Sequence, residues 1–156
     1  MEAGSSDPAM GYTMALPAHL TLEIVTPDHA IAHEEVDEVQ LPGTEGYLGI
    51  LPGHTPLLTS LKVGPLWYRK GTEKHYLSIA FGFAEVLPDR VRLLAQIAER
   101  AEDIDLRRAE EARRRAEDRM QAARGGAANI DLERARVALI KAMSRLQVAT
   151  KARTRI

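Results

Sequence analysis

The stretch Gly46-Tyr47-Leu48-Gly49-Ile50-Leu51-Pro52-Gly53-His54-Thr55-Pro56 reads as strand, turn, strand. Tyr47, Leu48, Ile50 and Leu51 read as a compact apolar group on a short extended segment. Pro52-Gly53 then reverses the chain, because proline presets φ and glycine accepts φ values that other residues resist. Gly46 and Gly49 permit close approach of neighbouring backbone. In this setting His54 belongs to a turn rather than to a catalytic set.

The same grammar continues on both sides. Residues 20–26 alternate apolar and polar and end at Pro27; residues 36–41 do so again and end at Pro42-Gly43. Beyond the opening stretch come short candidate strands at 57–61, 63–69, 75–79, 83–87 and 91–95, with breaks at Gly64-Pro65, Lys70-Gly71, Gly82 and Pro88-Asp89. Many short strands with turn residues between them predict an all-β sandwich or barrel over residues 19–102. Residues 1–18 are small and polar without a period, and read as a disordered extension or a remnant of expression, with Met14 as an alternative start.

At Ala98 the period changes. Residues 103–124 contain no Gly or Pro and are rich in Ala, Glu and Arg, which favour helix. Gly125-Gly126 stops this helix, and Asn129 is a candidate N-cap for a second one over 130–149. Two helices joined by a short loop form an antiparallel hairpin, leaving 151–156 as a basic tail. The apolar stripes are Ala109, Ala112, Ala116, Met120 and Ala123 on the first helix, and Ala135, Ala138, Ala142, Leu146 and Ala149 on the second. A buried methyl contributes about 0.8 kcal/mol against roughly 1.5–3 kcal/mol for leucine, so the hairpin holds itself weakly and reads as an element that can rearrange.

Composition narrows the function. The chain has 156 residues and no cysteine, which excludes disulfides, thiol catalysis and cysteine-ligated metal sites. The five histidines offer no His-x-x-x-His or His-Glu-x-x-His pair on a helix, and no Walker-type phosphate loop or Gly-x-Ser-x-Gly occurs. No apolar run is long enough to span a bilayer. The net charge of −1 conceals an asymmetry: residues 1–102 carry −7, 103–129 carry +1 and 130–156 carry +5. A basic end fits an acidic partner, a phosphate-bearing ligand or a solvated face.

Leu48-Gly-Ile-Leu-Pro-Gly-His-Thr-Pro-Leu57, with Val25-Thr-Pro27, Val36-Asp-Glu-Val39, Gly82-Phe-Ala-Glu-Val86 and Ala98-Glu-Arg-Ala-Glu-Asp103, resembles the epsilon subunits of rotary F-type ATP synthases over residues 19–150. The resemblance implies an α+β chain, with an N-terminal β-sandwich and a C-terminal helix hairpin. It implies a non-catalytic central-stalk subunit whose sandwich binds the gamma subunit and rests on the c-subunit ring. Residues 46–54, from Gly46 through Tyr47, Leu48, Gly49, Ile50, Leu51, Pro52 and Gly53 to His54, become candidates for rotor contact. The hairpin of this family either lies on the sandwich or extends along gamma into the catalytic alpha/beta head, where it blocks ATP hydrolysis. Arg134, Arg136, Lys141 and Arg145 are then candidates for the inhibitory contacts. The implied location is peripheral, on the cytoplasmic face of a bacterial plasma membrane.

Ile104-Asp-Leu-Arg-Arg-Ala109 also resembles the Ile/Leu-Asp-x-x-Arg-Ala pattern of epsilon subunits that bind ATP as a regulatory ligand. By that resemblance Glu99, Ile104, Asp105, Arg108 and Ala109 surround adenine and ribose, and Arg115 and Arg145 approach the phosphates. Lys141 stands where better-known binders carry arginine, and lysine lacks the planar bidentate fork. No cofactor is otherwise required. Capping competes with ligand binding as an explanation, because Ile130-Asp-Leu-Glu-Arg-Ala135 repeats the motif at the start of the second helix.

Two other classes are weaker. Arginine-rich helices can follow nucleic-acid phosphates, but Glu110, Glu111, Glu117 and Asp118 interleave with the arginines and the helices hold no aromatic residue for stacking. A hydrolase with a helical lid lacks a catalytic set.

Overall fold

A computed structural model describes residues 16–153. The expected extension over 1–18 lies almost wholly outside that range, as do residues 154–156 of the expected tail. The chain runs β1 (Leu20–Val25), β2 (Ala30–Val36), β3 (Glu38–Gly43), β4 (Gly46–Ile50), β5 (Leu57–Leu61), β6 (Gly64–Lys70), β7 (Glu73–Leu87) and β8 (Arg90–Arg100). A single 3-10 turn, Ala101–Asp103, leads to α1 (Leu106–Arg124) and α2 (Leu132–Arg153). This is the expected α+β arrangement, a β-sandwich followed by a two-helix hairpin.

Strand alternation builds the core. Leu20, Leu22 and Ile24 point inward from β1, Leu66 and Tyr68 from β6, and Leu77 and Ile79 from β7, all without appreciable solvent contact. Burial of each such aliphatic side chain stabilises by roughly 1.5–3 kcal/mol. The strands are hydrogen-bonded in the order β2-β1-β8-β7-β5-β3-β4, and β6 bridges β3 and β7. β1 runs parallel to β8, pairing Leu22 with Val91 and Ile24 with Leu93.

Three departures from the sequence reading have physical causes. β2 lies where the sequence predicts no strand, because Ala-Ile-Ala-His-Glu-Glu-Val shows three polar residues in a row. At the end of the sheet it needs only one apolar face, and it buries Ala32 and Val36. The two strands expected at 75–79 and 83–87 are one strand of 15 residues. β7 deforms at Phe81 (φ 63°) and Gly82 (φ 124°) instead of ending there. Its first half pairs with β6, and its second half with β5. A Cβ on Gly82 would lie 2.0 Å from the Leu94 carbonyl oxygen, so only glycine allows β8 this close. Finally, β8 continues past 95 to Arg100, and α2 continues past 149 to Arg153.

A polar cluster ties one end of the sandwich together. The buried Tyr68 donates its hydroxyl to Glu34 and accepts from Arg100 Nη1 at 3.2 Å. Arg100 Nη2 donates to the Ile31 carbonyl at 3.0 Å, and Lys70 reaches Glu34 at 3.3 Å. Burial pushes the Glu34 carboxyl up, but the bonds from Tyr68 and Lys70 and the charges of Lys70 and Arg100 outweigh it, so Glu34 sits below its usual value. Burial is also the main reason that the Tyr68 phenol is raised.

Candidate functional site

The hairpin is capped at each turn. Asp105 accepts from the Arg108 backbone N–H at 3.2 Å and starts α1. Asp131 accepts from the Arg134 N–H at 3.2 Å and caps α2, so Asn129 is not the cap. At the end of α1, Gly126 takes φ 95°, its N–H donates to Ala123 O, and Ala127 N–H donates to Ala122 O. Those two bonds form a Schellman motif, with Gly126 in the left-handed position. Ala109 and Ala116 of α1, and Ala135, Ala142 and Ala149 of α2, are buried, so the alanine stripes are the helix contact. On the other faces the charges pair within their own helices: Arg113 with Glu110 and Glu117, Arg107 with Glu111 at 3.3 Å, and Arg136 with Glu133 at 3.8 Å. Such exposed pairs contribute little each.

α2 lies against β6, β7 and the turn at Ala101–Asp103, placing the hairpin on the sandwich. Val148 and Ala149 pack with Ala101, Ile104 and Ala109 in a small second core. One helical turn earlier, Ser144 Oγ and Ser78 Oγ share a hydrogen bond of 2.8 Å. Beside it Arg145 faces Glu99, with Nε 2.8 Å from one carboxylate oxygen and Nη2 donating to the other at 3.3 Å. The buried Nε–H is not aimed at its oxygen, so that contact is ionic rather than a hydrogen bond. Lys141 Nζ sits 5.6 Å from the centre of the Phe81 ring.

The nucleotide candidates divide accordingly. Glu99, Lys141 and Arg145 line one pocket with Val63, Ser78, Ala80 and Ile97, of about 50 Å³. Ligand pockets for small molecules usually start at about 300 Å³. Ile104 and Ala109 are buried in the second core, where they support the hairpin. Asp105 caps α1 and lies 3.7 Å from the exposed Arg108. Arg115 is exposed, without an ion pair among the described residues. The inhibitory candidates divide as well: Lys141 and Arg145 are half-buried towards the sandwich, whereas Arg134 and Arg136 are exposed. Arg134 lines a cleft of about 520 Å³ at the hairpin tip with Arg119, Asn129 and Asp131.

The opening stretch occupies β4 and the following turn. Alternation sends Ile50 into the core and Leu48 against it, while Tyr47 and Leu51 face solvent, so the four do not form one compact group. Gly53 takes φ 87° and its N–H donates to Pro88 O at 2.7 Å, binding this turn to the one between β7 and β8. His54 Nδ1 lies 2.7 Å from the Thr55 carbonyl, as befits a turn residue. Lys62 Nζ lies 5.1 Å from the centre of the Tyr47 ring.

A further surface was missed. Leu58, Phe83 and Leu94 are exposed on the outside of β5, β7 and β8 (71%, 58% and 55% exposed), with Phe83 and Leu94 directly paired across strands. Val25 and Pro27 join Phe83 and Leu94 around a depression of about 370 Å³. The legible signal was the doublets Leu57-Leu58 and Leu93-Leu94. In a strand, adjacent residues face opposite ways, so one leucine of each doublet must face out.

The geometry of a sandwich carrying an alanine-lined hairpin agrees with two family models. The model for the ATP synthase delta/epsilon chain β-sandwich domain matches residues 19–101, and the model for the delta/epsilon chain long α-helix domain matches 102–150. The chain belongs to the ATP synthase delta/epsilon chain family. It is 54% identical over 101 residues to the ATP synthase epsilon chain of Koribacter versatilis, covering 65% of this chain and 71% of that one. It is 50% identical over 132 residues to the epsilon chain of Thermodesulfovibrio yellowstonii, covering 85% of this chain and 94% of that one. Among solved structures, a chain of the Euglena gracilis mitochondrial ATP synthase OSCP/F1/c-ring assembly shares the fold, with 23% identity, a TM-score of 0.74 and coverage of 98% of this chain and 88% of that one. Among the described residues no helix is long and apolar enough to cross a membrane.

Proposed function

We propose that this chain is a non-catalytic rotor subunit of a bacterial F-type ATP synthase. Its sandwich binds the gamma subunit and the c-ring, and its hairpin regulates ATP hydrolysis by the alpha/beta head. The observation that supports this reading best is the epsilon-chain match over a sandwich and a hairpin that are separately cored. The sandwich core is built mainly from Leu, Ile and Val, whereas the second core joining it to α1 and α2 is far smaller, with three alanines among its five buried residues. A hairpin held this lightly can leave the sandwich without unfolding it. The Leu58–Phe83–Leu94 surface suits a protein partner, since an exposed apolar patch on a small domain is otherwise costly. Residues 46–54 supply a second contact, with Tyr47 and Leu51 outward, for the rotor ring. Association with the membrane is then peripheral, through the complex.

ATP is the proposed regulatory ligand of the folded hairpin, with Arg145 and Lys141 nearest the sandwich and Asp105, Arg108 and Arg115 along α1. The pocket at Glu99 has to widen to admit it. In the extended position Arg134, Arg136, Lys141 and Arg145 meet carboxylates of the head in a space poorer in water, where charge pairs are stronger. The test is reconstitution with gamma, c-ring and head. A chain truncated after Glu102 is expected to join the complex and support proton-driven synthesis while releasing inhibition of hydrolysis. A truncated form that folds but does not join overturns the assignment of binding to the sandwich.

A further inference from the structure

The face of α2 turned to the sandwich carries Lys141, Ser144, Arg145 and Val148, the spacing of one helical stripe. Each touches a residue of a different kind: Phe81, Ser78, Glu99 and the second core. Its apolar part is slight. Ile140 and Met143 of the same helix remain exposed, and the second core buries three alanines, one valine and one isoleucine, with Tyr76, Leu106, Leu146 and Ala152 half-buried against them. Adhesion is therefore shared between this small core and the polar contacts beside it.

Two of those contacts are suited to a joint that opens. Ser78 and Ser144 are the buried polar residues among the described ones, and they bond to each other across the joint. When the helix leaves, both hydroxyls regain water, so separation strands no donor or acceptor. Glu99 and Arg145 retain partial solvent access (30% and 25% exposed), so the pair closes and opens without the full penalty of a deeply buried charge. A purely structural joint of this size is served better by leucine than by two serines and an ion pair.

We propose that the Glu99–Arg145 ion pair, backed by the Ser78–Ser144 hydrogen bond, is an intrinsic latch that holds α2 on the sandwich with no nucleotide bound. The inference rests on reading the hairpin as a movable regulatory element. It adds that the resting position is set by the chain itself, and that ATP reinforces a hairpin already closed. Salt must weaken the latch, because its charges are partly solvated.

The experiment is hydrogen exchange on the full chain after enzymatic removal of nucleotide. Glu99→Gln should speed exchange at residues 141–149 roughly fivefold, the effect of losing a partly exposed ion pair, and leave β1 and β6 unchanged. The charge reversal Glu99→Arg with Arg145→Glu should return the rate to within about twofold of the parent. Raising salt from about 0.05 to 1 M should speed exchange in the parent and leave Glu99→Gln insensitive. Unchanged exchange in Glu99→Gln overturns the latch. So does a reversal no slower than the single variants, or equal loosening of α2 and β6, which marks general destabilisation. ATP titration of the same parent is read separately. No response to ATP with α2 still dependent on Glu99 sinks the nucleotide reading alone; protection by ATP with no effect of Glu99→Gln sinks the latch alone.

Discussion

Replacing Gly82 with alanine should unfold much of the sandwich's cooperative stability through a single methyl group. The added Cβ would lie 2.0 Å from Leu94 O, 2.8 Å from Ala95 Cα and 3.0 Å from Leu94 C. These neighbours are backbone atoms of β8, so no rotamer change relieves the overlap. Relief requires β7 and β8 to separate by about 1 Å or more where Gly82 pairs with Ala95 and Phe83 with Leu94. The backbone adds its own resistance, since φ is 124° at Gly82, outside the range an L-residue adopts readily. Backbone strain of about 1–3 kcal/mol and overpacking of similar size give a loss of about 2–6 kcal/mol. A domain of this kind has about 5–15 kcal/mol in total. Urea unfolding followed by tryptophan fluorescence reports it, because Trp67 lies on β6, the strand paired with β7. A midpoint shift equivalent to less than about 1 kcal/mol with an unchanged slope would refute the close-approach argument. Phe81→Gly serves as the counterpart: φ 63° at Phe81 becomes unstrained, so part of any loss of ring packing on Lys141 is returned by the backbone.

Other outcomes follow from the same geometry. Phe83→Ser with Leu94→Ser should leave the melting temperature within a few degrees, because both side chains are already exposed, but should weaken capture by gamma at least tenfold; unaltered capture in a pull-down removes this face from the interface. Glu34 is held below its usual 4.5, so its stabilisation is present above that value and is lost as pH falls through its folded titration; the stability gap between parent and Glu34→Gln should be widest near neutrality and narrow in acid, as measured by urea titration at several pH values. A gap that stays constant with pH contradicts the role of the carboxylate charge. Lys141→Arg should tighten ATP binding in calorimetry by restoring a bidentate donor, whereas equal or weaker affinity argues against a phosphate contact there.

Much of this molecule was legible in one dimension because its signals are local. Turn residues at Pro27, Pro52-Gly53 and Pro88-Asp89 act through their own φ, and the alanine stripes follow from helical period alone, whereas Pro42-Gly43 lies within β3 and the turn follows it. The composition of the hairpin likewise announced an alanine-lined contact before any neighbour was known. Tertiary structure decided what depends on a distant partner. Gly82 looked like a break until the approach of β8 showed that the strand bends there and continues. The edge position of β2 permitted a polar sequence that no strand pattern would have selected. Asp131 rather than Asn129 became the cap because cap choice turns on a backbone geometry of one residue. The union of Ser78 with Ser144, and of Glu99 with Arg145, joins residues 66 and 46 positions apart. Local propensity acts over a few residues, while such pairs exist only once the hydrophobic cores have set α2 against β7.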